Sequence, residues 1–76
     1  MSNAEVEKLM MGEHEIKDNG HVHAYAALEH MSEPMREQIF HNARNSGHGG
    51  LFTVHKDGRN VEYKLSHDGY IHEAHH

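Results

Sequence analysis

The chain is expected to fold as an α+β domain, with two or three short helices packed on a small antiparallel β-meander of two to three strands. Three observations carry that expectation. Apolar residues recur at helical spacing up to about Asn45, and after Gly49-Gly50 the period changes to two. Two Asp-Gly turns, Asp57-Gly58 and Asp68-Gly69, then punctuate the remainder. Helices and strands therefore segregate along the chain, as α+β architecture requires.

Ser2 followed by Glu5 fits a capping box, and Val6, Leu9 and Met10 supply one apolar stripe for a first helix. Gly12 weakens that helix, and Lys17-Asp18-Asn19-Gly20 ends the segment as a turn. A second helix is expected over Val22 to Met31, with Val22, Tyr25, Ala26 and Leu28 as its face. The alternative is a short strand through His21-Val22-His23, which would put both histidines on one face. Ser32-Glu33-Pro34 marks a third helix start: Ser32 can cap, Pro34 needs no intrahelical donor, and Glu33 and Glu37 complement the positive helix end. That helix should run to about Asn45, bury Met35, Ile39, Phe40 and Ala43, and stop at Gly47.

Beyond it, Phe52 and Val54 alternate with Thr53 and His55, and Val61, Tyr63 and Leu65 alternate with Glu62, Lys64 and Ser66. Lys56-Asp57-Gly58-Arg59 is the hairpin turn between them. His67-Asp68-Gly69 makes a second turn, and Tyr70-Ile71-His72 adds a third strand. Residues 1–76 read as one domain, with 72–76 expected to be a disordered tail.

Composition narrows the function classes. The hydrophobic fraction is 36% and mean hydropathy is -0.90, so the core is thin and a second copy or a partner is expected to complete it. Cysteine is absent, which excludes disulfides, thiolate metal sites and thiol nucleophiles. No apolar run suits a membrane span. The start MSNAEVEKLMM lacks the basic and apolar stretches of a signal peptide, so the cytoplasm is expected. With a net charge of -5 and only seven scattered Lys and Arg residues, direct nucleic-acid binding is not expected.

Eleven histidines are the unusual chemistry. Each gains a charge near pH 6.5, so acidification turns the net charge of -5 into about +6. No cofactor is expected, although imidazole and carboxylate could hold zinc or nickel, with His21 and His23 as the candidate pair. Other spacings fit poorly. HExxH is absent, and His23 and His30 would stand about 10 Å apart along a helix. The glycine-rich run Ser46 to Gly50 lies between a helix end and a strand, where a phosphate loop would feed a helix.

Asn45-Ser46-Gly47-His48 precedes a hairpin whose far end carries His67. Over residues 35–70 this resembles the HicA-type toxin ribonucleases, in which a Gly-Ser-His run follows a helix and opens a three-stranded sheet. The resemblance implies that His48 is the acid–base group of an RNA-cleaving protein. The order here is Ser-Gly-His, no Pro precedes His67, no helix follows the sheet, and the chain is acidic.

Taken together, the residues lead first to a small non-enzymatic protein-binding module or inhibitor, a homodimer or bound complex, comparable in size and charge to inhibitors encoded by phages and mobile elements. Met31 and Met35 are the expected contact residues, since flexible thioethers suit a partner groove, and Glu5 and Glu7 offer an acidic face to a basic partner. A transition-metal binder using His21 and His23, and a ribonuclease using His48, are the alternatives.

Overall fold

The computed structural model describes residues 8–74. Its elements are β1 (Met10–Met11), β2 (His14–Glu15), α1 (Val22–His30), α2 (Glu33–Asn45), β3 (Gly50–Lys56), β4 (Arg59–Leu65) and β5 (Ile71–Glu73). The strands β3, β4 and β5 form an antiparallel meander in that order, and β1 and β2 form a separate two-stranded hairpin. The α+β class is as the sequence predicts.

The turn between β3 and β4 has only two residues, Asp57 (φ 52°) and Gly58 (φ 77°), both left-handed as a type I′ hairpin demands. It pairs Lys56 with Arg59 and carries the register back to Gly50 opposite Leu65. Alternation then sends Phe52, Val54, Tyr63 and Leu65 inward, where each is buried, while Leu51, Thr53 and His55 stay exposed. Ile71 on β5 is fully buried, and Phe52 stacks on Tyr63 at 6.0 Å between ring centroids.

Both helices cover the inner face. From α1 come Ala24 and Leu28, and from α2 come Ile39, Phe40 and Ala43, all buried. The crossing of α2 over β3 is close. A Cβ at Gly50 would collide with the carbonyl oxygen of Ile39 and stand 2.9 Å from its Cγ2, so only glycine admits the helix there.

Several expectations fail. Leu9 and Met10, read as part of a first helix, belong instead to an extended hairpin in which Met10 pairs with Glu15 and Met11 with His14; Ser2, Glu5 and Val6 lie outside the described residues. The reason is Gly12, which turns the chain at φ 62° and lets Met11 and Ile16 enter the core while Met10 points out. Val22 and Met35, expected on buried stripes, are each 59% exposed. At the α1–α2 corner it is Arg36, not Met35, that turns toward α1: its guanidinium donates to the carbonyls of Leu28 (3.0 Å) and Glu29 (3.3 Å) and so satisfies the end of that helix. Ser32 occupies the cap position without a side-chain bond, and α2 ends on Ser46 in extended conformation, with the left-handed residue at Gly49, not Gly47. His72 and Glu73, expected in a disordered tail, lie in β5, and the Ala74 N–H bonds to the Glu62 carbonyl at 2.9 Å.

The far edge of β5 is not bare. Lys17 N–H donates to the Gly69 carbonyl (2.8 Å), and Ile71 N–H donates to the Lys17 carbonyl (3.1 Å). The Lys17 ammonium also sits 5.6 Å from the Tyr70 ring centroid. No described helix is long and apolar enough to cross a membrane.

Gly50→Ala is expected to lose about 1–3 kcal/mol of stability through this backbone collision. Gly47→Ala, where an added Cβ meets nothing within 4 Å, should change it by no more than about 0.5 kcal/mol. Urea unfolding of the two variants beside the parent chain checks the contrast.

Candidate functional site

Among the concavities of the described surface, three are distinguished more by chemistry than by size. One of about 310 Å³ runs between the β1–β2 hairpin and the helices, where Glu29, Glu33 and Glu37 are set against Lys8 and Arg36. One of about 560 Å³ is an open stretch of the outer sheet face near Thr53, Asn60 and Glu73. The third, about 230 Å³, lies where α2 enters β3 beside the end of β4. It gathers His48, His67, Lys64, Ser46 and Ser66, groups able to move protons and hold an anion.

The hairpin register explains why two distant histidines meet. His48 is nine residues before Asp57, and His67 is nine after Gly58. The ladder ends at Gly50–Leu65, and the turns that follow at each side, Ser46 to Gly49 and Ser66 to Gly69, bring His48 and His67 to the lining of one concavity. Both imidazoles are exposed, so an incoming ligand can reach them.

Each wall is locally braced. On the α2 side, Asn45 Nδ2 donates to the His41 carbonyl (2.9 Å), and the His48 N–H donates to the Ser46 hydroxyl (3.1 Å), a side-chain turn that holds the loop after the helix. The chain then passes so near β4 that a Cβ at Gly49 would stand 2.8 Å from the Leu65 carbonyl oxygen and 2.9 Å from Lys64 Cγ. This approach lays the Lys64 side chain against Gly49, in the same concavity as His48.

On the other wall the β4–β5 turn closes through Ser66 N–H to the Tyr70 carbonyl (2.9 Å) and Gly69 N–H to the Ser66 carbonyl (3.0 Å). The Ser66 hydroxyl faces two acceptors, Asp68 Oδ1 and the Tyr70 carbonyl oxygen (3.1 Å). That hydroxyl, more than any other neighbour, holds the Asp68 carboxyl below its ordinary value; the Tyr70 N–H and the charge of His67 add to the effect. Asp68 is thus kept anionic next to His67, on the rim of the cleft.

The sequence singles out His48 and places His67 at the hairpin's far end, but Lys64 and Ser66 read there only as the polar positions of an alternating strand. The other nominated residues are scattered. His21 stands at the N-terminal cap of α1 with its ring edge-on to Tyr63, 5.4 Å between centroids, and His23 is exposed in the first helical turn. Two positions apart on a helix they do not share a face, so the extended arrangement that would have aligned them is not formed. Among the described residues no three His, Asp or Glu side chains converge to hold a metal ion. Met31 packs partly buried against the core, whereas Met35 projects from α2. Glu5 and Glu7 lie outside the described residues.

No protein family, curated protein or solved structure matches the chain.

Because the Asp68 carboxyl is stabilised as an anion in the folded state, its contribution to the turn is present above the ordinary Asp range and fades as pH falls through its lowered value. Carboxyl-detected NMR titration should place the Asp68 midpoint below that of an unperturbed Asp. Ser66→Ala should move it back upward.

Proposed function

We propose that the chain is a small histidine-dependent protein that cleaves RNA at the cleft between α2 and the β4–β5 turn. The observation that supports it is that His48, His67 and Lys64 line one concavity at the open end of the β3–β4 hairpin. This is also the arrangement of helix, histidine and three-stranded sheet that the resemblance to HicA-type ribonucleases implies.

Two imidazoles around one phosphodiester suit general acid–base cleavage. In its neutral form His48 accepts the proton of the ribose 2′-hydroxyl, whose oxygen attacks phosphorus. As the 2′-oxygen–phosphorus bond forms, the bond to the 5′-oxygen breaks, and protonated His67 delivers a proton to that leaving oxygen. The products are a 2′,3′-cyclic phosphate and a free 5′-hydroxyl. The Lys64 ammonium compensates the charge that gathers on the phosphoryl oxygens. A net charge of -5 means that contact with RNA is confined to this cleft, so binding is weak and gains strength as the histidines protonate.

The test is cleavage of a labelled RNA oligonucleotide, with DNA of the same sequence as control. Activity should follow a bell-shaped pH profile and leave a cyclic phosphate. His48→Ala and His67→Ala should each lower the rate by about 10²–10⁴-fold. If the parent chain leaves RNA intact from pH 5 to 8, or cuts it as fast without His48, the proposal fails.

A second reading, a non-enzymatic module or inhibitor that docks to a protein, draws on the exposure of Met35 (59%) and Met10 (49%). Under it, the immobilised chain retains a defined protein from host extract, and Met35→Asp abolishes that retention while leaving unfolding unchanged. Retention untouched by the substitution counts against Met35 as the contact.

A further inference from the structure

We infer that the outer edge of β3 is a self-pairing surface, on which a second copy of the chain docks antiparallel about a two-fold axis at Thr53.

The two edges of the meander are treated differently. Lys17 occupies the far side of β5 through two backbone hydrogen bonds. On β3 the direction of each backbone group follows from the register. A two-residue turn makes Lys56–Arg59 a hydrogen-bonded pair, and the pairs alternate from there, so Val54, Phe52 and Gly50 bond toward β4. The opposite parity on β4 agrees, since the Glu62 carbonyl accepts from Ala74 on the β5 side. The N–H and C=O groups of Leu51, Thr53 and His55 therefore point away from the sheet, and these three residues are exposed. Among the described residues no backbone bond reaches them from outside the hairpin.

Natural edges of this length are guarded by proline, a bulge or a central charge. From Leu51 to His55 the strand has no proline, no Lys, Arg, Asp or Glu, and an unbroken register with β4.

A second copy fits this edge better than an arbitrary strand does. Pairing centred on Thr53 sets Thr53 opposite Thr53 of the second copy and Leu51 opposite its His55, so every outward backbone group finds a partner. On the inner face Phe52 comes beside Val54 of the second copy, which extends the hydrophobic layer. The strand's one permanent charge, Lys56, falls opposite Gly50 of the other copy, and the two ammonium groups stay at opposite ends. A parallel arrangement would bring them together. The same register sets Lys56 of the second copy opposite Gly50, two residues from His48, although the pairing stands whether or not the cleft cuts RNA.

Sedimentation velocity over a rising concentration series at pH 7.5 tests this. The parent chain should pass from monomer to dimer. Thr53→Pro should remain monomeric with an unchanged circular dichroism spectrum, because the amide it removes serves no bond within the chain. Thr53→Cys should be crosslinked by mild oxidant, since paired Cα atoms at the two-fold stand within disulfide reach. Leu51→Cys should not, as its copies lie about 14 Å apart. The chain has no native cysteine to confuse the readout. A parent chain that stays monomeric throughout, or equal crosslinking of the two cysteine variants, overturns the inference. Should Thr53→Pro unfold, the cysteine pair decides alone.

Discussion

The two-residue turn at Asp57-Gly58 is the constraint on which the rest of the molecule depends. With only two residues in left-handed conformation, the turn admits one register for β3 on β4. A slip by one residue would exchange Phe52, Val54, Tyr63 and Leu65 for Thr53, His55, Glu62 and Lys64 at the helix-facing surface, and the core would be lost. That single choice of register also puts the loops that carry His48 and His67 at the same open end and decides which backbone groups of β3 face outward. Core, cleft and free edge are three consequences of one turn.

Helix α2 is the second determinant, because it connects the core to the cleft. Its buried residues Ile39, Phe40 and Ala43 hold it against β3, and Gly50 lets it approach until the Ile39 carbonyl rests on the strand. The helix ends at Asn45, and the exposed loop from Ser46 leads back to β4, where Gly49 lies against Lys64 and Leu65. Arg36 does comparable service at the other end by occupying the last carbonyls of α1. With no buried side-chain oxygen or nitrogen lacking a partner among the described residues, this small core carries no polar debt.

Where the sequence could be read, it was because one local signal dominated. Strict alternation from Phe52 to Leu65, the Asp-Gly turns and Pro34 behind Ser32 each point to a single backbone state. The N-terminal hairpin was hidden because Leu9, Met10 and Met11 are consecutive apolar residues, and such a run fits a helix stripe as well as a strand. Only the left-handed Gly12 breaks the tie. Val22 and Met35 misled for another reason: helical periodicity names a face, but it does not say where the supporting sheet ends. Half of the cleft was legible, since His48 and His67 are equidistant from the turn. Lys64 and Ser66 were not, because on a strand of alternating residues they look like ordinary solvent-facing positions.

The bonds between Lys17 and the β5 edge join segments separated by most of the described chain. Closing so long a loop costs more entropy than closing the hairpin or the α2–β3 contact, although that cost grows only with the logarithm of loop length. The shortest strand of the sheet, three residues long, thus serves as a clasp, held by β4 on one side and fastened near its start to Lys17 on the other.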